Sequence, residues 1–138
     1  MIMDWEQVAP GLELDAWTDR PVSRTDIVRY QGASGDFDAA HHDDAHARTY
    51  GFEGVFSLGL LHAGILSAYA MRYFGVDSIR RFKVRFKDII ALGEALSYSA
   101  KIIRKYEQGS ARFVDIELVC EHENGKPAVH GEATFQLA

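Results

Sequence analysis

A single cysteine, Cys120, occurs in the 138 residues, so no internal disulfide can form. The acidic start "MIMDWEQ" has no apolar stretch behind it of the kind that heads a secreted chain. Both absences point to a reducing cytoplasm. Excess positive charge is lacking too: 15 Lys and Arg face 20 Asp and Glu, for a formal charge of −5 and a pI near 5.6. Nucleic-acid binders draw most of their affinity from phosphate neutralisation by basic side chains, so no nucleic-acid partner is expected. Low-complexity runs and internal repeats are absent. One long apolar run occurs, "VFSLGLLHAGILSAYAMRYF" at 55–74. It has the roughly 20 residues a membrane span needs. Ser57, His62, Ser67 and Arg72 interrupt it, however, and no second span accompanies it. It reads as a helix apolar nearly all round, buried at the centre of a fold, and no membrane partner is expected.

What is present suits a globular protein. Hydrophobic residues make up 47% and charged ones 25% of the chain, close to ordinary averages. The length fits one domain, 1–138, with a core of its own. Downstream of the long helix, "FKVRF" alternates Phe82, Val84 and Phe86 inward against Lys83 and Arg85 outward, the period of a half-buried strand. "ALSYSAKII" and "ARFVDIELVCE" continue as β-type runs, the second placing Val114, Ile116, Leu118 and Cys120 on one face. Asn124-Gly125 signals a hairpin before "PAVHGEATFQL" returns as the last strand, so the carboxyl half reads as an antiparallel meander. Upstream, "LELDAW" can add a strand, and "SRTDIVRYQGAS" reads as a short helix capped by Ser23 with Asp26 in its first turn. A long apolar helix clasped by an antiparallel sheet is an α+β arrangement.

The stretch "SGDFDAAHHDD" at 34–44 gathers two carboxylates and an imidazole within six residues: Asp36, Asp38 and His41. Residues five apart on one helix point about 140° away from each other, so Asp36 and His41 converge only if a loop enters a helix between them. Asp38 fits the N-cap, Ala39 and Ala40 the first helical positions, and His41 the first turn. The helix is expected to run to near Tyr50, with Gly51 at the left-handed cap position. Asp36, in the loop, can then fold back toward His41. The positive end of a helix favours a neutral imidazole, which is a proton acceptor. Similar logic applies to the long helix. Ser57 can cap it and leave the N–H groups of Leu58 and Gly59 free at a positive helix end, donors suited to an oxyanion. Gly59 has no side chain to obstruct an approaching carbonyl oxygen, although Gly59 and Gly64 also suit simple close packing.

"RYQGASGDFDAAHHDDAHARTYGF" followed by "GLLHAGI" resembles the MaoC-like, or R-specific hydratase, branch of the hotdog-fold proteins, especially the single-hotdog subunits of (3R)-hydroxyacyl-thioester dehydratases. That family's signature runs approximately Ser-Gly-Asp-x-Asn-Pro-(Leu/Ile)-His, with a downstream Ala-His-Gly opening the central helix. Ser34, Gly35, Asp36 and His41 match it, Gly59 falls on the helix glycine, and "VRFKDIIALGEAL" is similar to the strand that follows. The chain departs from the pattern at five named residues. Asp38 and Ala39 replace Asn-Pro, a change that keeps a cap followed by a first helical residue and adds a charge near Asp36. Leu58 replaces the histidine beside the helix glycine, and Ile89 with Leu92 replace prolines, changes that bear on acyl-chain contacts.

The resemblance implies a hotdog fold and reversible water addition across the double bond of a trans-2-enoyl thioester of CoA or acyl carrier protein. It implies Asp36 and His41 as the acid/base pair. Ser34, Asp38, Ser57, Leu58, Gly59 and His62 would then form the oxyanion and substrate-binding surroundings. No cofactor is implied. Related hotdog units pair, so a homodimer, or a heterodimer with a second hotdog subunit, is expected. Two rival readings stand beside it: an acyl-thioester hydrolase on the same fold, and a subunit that binds acyl chains and needs another chain for activity.

Other residues have plainer readings. His42 and His46, four apart and near Asp43 and Asp44, have metal-ligand spacing without a metal motif, and no metal is expected. His62 is either a satisfied core histidine or a residue facing the acyl pocket. Cys120 reads as a small buried hydrophobe. Arg80, Arg81, Lys83, Arg85 and Lys87 form a basic patch, either a solvated strand face or a dock for CoA phosphates or an acidic carrier protein.

Overall fold

Ser23 starts the first helix, α1 (Arg24–Ser34), in the computed structural model, which describes residues 2–138. Its hydroxyl accepts from the N–H of Asp26 while the Asp26 carboxylate accepts from the N–H of Ser23, the reciprocal capping box that satisfies two otherwise orphaned donors. Arg20 grips the same carboxylate through both terminal guanidinium nitrogens, and with the Ser23 hydroxyl holds it well below the usual carboxylate range. Gly35, at φ 75°, ends α1 in the left-handed region where a side chain is disfavoured, and its N–H closes onto the carbonyl of Gln31.

The sheet has five antiparallel strands: β1 (Glu13–Thr18), β2 (Ile79–Phe86), β3 (Ser97–Gln108), β4 (Ala111–Glu121) and β5 (Pro127–Leu137), in the spatial order β1-β3-β4-β5-β2. Strands β3, β4 and β5 form the expected meander. The β4–β5 connection turns at Gly125, where φ is 79°. β2 is a correction to that reading. It lies beyond β5, with Phe82 opposite Ala133 and Val84 opposite Gly131, and forms one open edge of the sheet. Alternation identifies a strand but carries no information about which strand it joins. Phe86 also departs from expectation. It sits at the end of β2 and is 52% exposed, whereas Phe82 and Val84 pack against the core.

The long helix, α3 (Gly59–Phe74), lies across the concave face of the sheet, and Ala63, Leu66, Tyr69, Ala70 and Phe74 supply its buried stripe. Gly131 permits this close approach, since a Cβ there would meet Cβ of Leu118 at 3.1 Å and Cδ2 of Leu66 at 3.3 Å. The helix is not covered all round. Leu60 is 56% exposed, and Ala68 and Arg72 also face outward, so the sheet clasps one side and leaves the other open. Among the described residues, no helix is long and apolar enough to cross a membrane.

Candidate active site

The segment between α1 and α3 is held by side-chain hydrogen bonds to its backbone. Gln31, buried in the last turn of α1, donates through Nε2 to the carbonyls of Asp36 at 3.0 Å and Asp38 at 3.1 Å, and through Oε1 accepts from Nδ1 of His42 at 3.0 Å. This fixes the loop that presents Asp36. Ser34 adds its hydroxyl to the N–H of Asp36 at 3.2 Å, and an Asp36 oxygen accepts from the N–H of Asp38 at 3.3 Å. Sequence reasoning missed Gln31, because a glutamine on a helix gives no sign that it will be buried against a distant loop.

Asp38 caps as expected, its carboxylate accepting from the N–H of Ala40 at 2.8 Å. The helix it starts is shorter than expected. Ala39–His41 form one 3₁₀ turn, the chain breaks at His42, and Asp43 caps a separate helix, α2 (Asp44–Thr49), by accepting from Ala45 and His46. The run of Asp and His offers several side chains that compete for backbone N–H groups, which divides the segment. Gly51, at φ 89°, follows the end of α2 in the left-handed region. From α2, Asp44 reaches across to the N–H of Val55 at 2.9 Å and to Arg24 at 2.9 Å, contacts that lower its pKa and tie down the loop leading to α3.

That loop orients His41. Nδ1 of the imidazole lies 2.8 Å from the carbonyl oxygen of Phe56, and the two rings meet edge-on at 4.8 Å. A carbonyl only accepts, so Nδ1 carries the hydrogen and the neutral imidazole keeps its lone pair on Nε2. Asp36 and Asp38 both lie at the surface rather than in a shared buried site.

Asp36, His41, Ser57, Leu58 and Gly59 line one pocket of about 210 Å³, together with the apolar Leu60, Phe86 and Ile89 and the carboxylate of Asp88. Ser34, Asp38 and His62 do not line it. The reading of Ser57 as a helix cap is corrected: Leu58 occupies the N-cap position, no side chain caps α3, and the Ser57 hydroxyl pairs instead with Nε2 of His62 at 2.7 Å. The first N–H groups of α3 are thus left without a side-chain acceptor, and Gly59 at that helix start lines the pocket. A Cβ on Gly59 would come within 2.7 Å of Cδ1 of Phe86, so the backbone there lies directly beneath that ring.

His62 is a satisfied core histidine. It is 1% exposed, with Ser57 on Nε2 and the Tyr98 hydroxyl at 2.9 Å from Nδ1, and burial pulls its pKa down to about 4. Cys120 is fully buried, and burial pushes its thiol up to about 12, far from the reactive range. His42 is taken by Gln31 and His46 packs edge-on against Tyr50 at 5.0 Å. No cluster of three or more His, Cys, Asp or Glu is arranged to hold a metal among the described residues.

The helix across a curved antiparallel sheet is the hotdog fold, shared with solved R-hydratases. R-hydratase PhaJ1 from Pseudomonas aeruginosa, in its unliganded form, superposes with a TM-score of 0.83 at 22% identity, over 96% of this chain and 83% of that one. The (R)-hydratase from A. caviae involved in PHA biosynthesis gives 0.83 at 20% identity, over 96% and 99%. The ChsH1-ChsH2 complex from Mycobacterium tuberculosis gives 0.81 at 19% identity, over 94% and 98%. No curated protein sequence matches the chain at a significant level. Residues 6–121 match the MaoC-like domain, and the chain belongs to that family.

Proposed function

We propose that the protein is an (R)-specific hydratase of trans-2-enoyl thioesters, running in reverse as a dehydratase of (3R)-hydroxyacyl thioesters. Family membership supports hydro-lyase chemistry in general. The observation that carries the finer reading is the shared pocket, which brings a carboxylate, an imidazole with Nε2 unengaged, and the uncapped start of α3 to one apolar cleft. In hydration the water oxygen bonds to C3 as its proton passes to the Asp36–His41 pair, and the pair returns a proton to C2. One water is consumed per double bond. Such acid/base groups commonly contribute factors of about 10² to 10⁴. Negative charge gathers meanwhile on the thioester oxygen, which the Gly59 N–H is suited to receive, a donor of this kind being worth about 3 kcal/mol.

The apolar rim supports assembly. Leu60, Phe86 and Ile89 are 56%, 52% and 44% exposed around one cleft, an apolar surface of the sort covered by a ligand or a second subunit. The open edge of β2 adjoins it, and unpaired edges invite association. The reading is therefore of a unit that works paired, with a second copy or with another hotdog chain, as the two chains of the ChsH1-ChsH2 complex are paired with each other.

The purified chain mixed with a panel of trans-2-enoyl-CoA substrates should lose enoyl absorbance without releasing free thiol. Thiol release in place of hydration would instead identify a hydrolase. Light scattering during the same assay fixes the active species: an active monomer at micromolar concentration contradicts the paired unit, and an inactive chain rescued by a second hotdog subunit identifies a heterodimer.

A further inference from the structure

Three buried side chains outside the acid/base pair form a continuous line into the pocket. The hydroxyl of Tyr98, on β3, lies 2.9 Å from Nδ1 of His62, on α3, and Nε2 of the same ring lies 2.7 Å from Oγ of Ser57. Tyr98 is fully buried, His62 is 1% exposed and Ser57 4%. Ser57 alone of the three lines the pocket, which Gly59, Asp36 and His41 line as well. Its hydroxyl makes no other hydrogen bond among the described residues.

A neutral imidazole offers one donor and one acceptor, so the line has a direction. The two hydroxyls compete for the single imidazole lone pair. A phenol is intrinsically the more acidic of the two and the better donor, and although burial raises the pKa of Tyr98, Ser57 is buried against the same ring. Tyr98 O–H therefore donates to Nδ1, and Nε2–H donates to Ser57 Oγ. The serine, its oxygen already accepting, keeps its own hydrogen for an acceptor in the pocket. Hydrogen bonds in such a chain polarise one another, which strengthens the terminal donor. Burial keeps His62 neutral through the physiological range, so the chain is not broken by protonation of the ring.

We propose that Ser57 is a second donor to the thioester carbonyl oxygen, acting beside the Gly59 N–H, and that His62 and Tyr98 are the positioning residues that turn its hydrogen toward the pocket. The proposal rests on the enoyl-thioester reading for its ligand. The direction of the chain does not depend on that reading. No covalent bond to Ser57 is formed, and the hydroxyl returns unchanged after each turnover.

Nitrogen-15 NMR of the labelled full-length chain near pH 7 tests the direction without substrate. Hydrogen on Nε2 of His62 is the expected result, and hydrogen on Nδ1 overturns the proposal even if the chain is a hydratase. A double-mutant cycle on enoyl-CoA hydration tests the role. Ser57→Ala should lower kcat by about 10- to 100-fold with KM nearly unchanged, a hydroxyl being a weaker donor than those of measured oxyanion holes. Tyr98→Phe should lower kcat several-fold in the same sense. The double variant should be no slower than Ser57→Ala, because Tyr98 acts only through the serine. Independent, multiplying losses would reduce Tyr98 to a packing role and sink the relay. An acyl adduct on Ser57 detected by mass spectrometry would likewise overturn the donor role. Absence of hydration by the wild-type chain would count against the enoyl-thioester reading and leave the NMR result to stand for the chain's direction.

Discussion

The carbonyl of Phe56 holds Nδ1 of His41 at 2.8 Å and so determines which ring nitrogen faces the pocket. His41→Ala removes that nitrogen, and Asp36→Asn leaves a side chain of the same shape without basicity. Each should lower kcat for enoyl-thioester hydration by at least about 10²-fold while the melting temperature stays near wild type. Near wild-type turnover by either variant would rule out the pair as the acid/base groups.

Gly59→Ala should separate stability from activity. The new methyl meets the ring of Phe86, which is half-exposed at the end of an edge strand and free to swing away, so the fold should tolerate it within about 1 kcal/mol. The methyl remains over the amide, however, and kcat should fall by about tenfold or more. Adding Phe86→Ala relieves the crowding but not the obstruction. If the double variant regains full activity, Gly59 serves packing alone.

Asp38 and Gln31 hold the loop of Asp36 by different means. Asp38→Asn keeps a cap and should cost little, whereas Asp38→Ala should cost about 1 kcal/mol. Gln31→Leu strips the donors from two carbonyls and should cost about 2 kcal/mol, with a loss of kcat because Asp36 is no longer held. Thermal melts of the three variants give the order, and equal melting temperatures for wild type and Asp38→Ala would refute the cap.

His62 makes the fold sensitive to acid. Burial lowers its pKa from 6.5 to about 4, an effect that the charges of Asp19 and Glu94 oppose and that of His122 reinforces. Between those values the unfolded chain binds the proton more readily than the folded one, so stability falls as pH drops from about 6.5 to 4. The loss from this group is on the order of 3 kcal/mol at most. The melting temperature of His62→Gln should change less over that window than that of wild type. Parallel curves would show that other groups govern the acid response.

The elements with one strong local cause were legible in the sequence. Ser23 and Asp26 announce α1, the run ending at Phe74 announces α3, and the alternation from Val114 to Cys120 announces β4. What escaped depended on competition or distance. Asp43 competes with Asp38 for nearby N–H groups and breaks the helix between them. β2 joins β5 through pairing that spans some fifty residues of chain, as in Phe82 opposite Ala133. In the candidate site, Asp36, His41 and Gly59, which share one pocket, could be nominated from spacing and a family signature. Gln31 and the Tyr98–His62–Ser57 line were not, since each joins residues whose nearness exists only after folding.

The open edge of β2 carries an electrostatic condition on its partner. Arg81, Lys83 and Arg85 point outward on alternate positions, and among the described residues the one carboxylate paired with them is Glu132, 3.9 Å from Arg81 and opposite Lys83 in the register. If a second copy joined this edge antiparallel with Phe82 and Val84 still facing inward, odd positions would stand opposite odd ones, cation against cation. Added salt screens that repulsion, so self-pairing along β2 should tighten as ionic strength rises. A partner with an acidic edge should show the opposite response and loosen in salt.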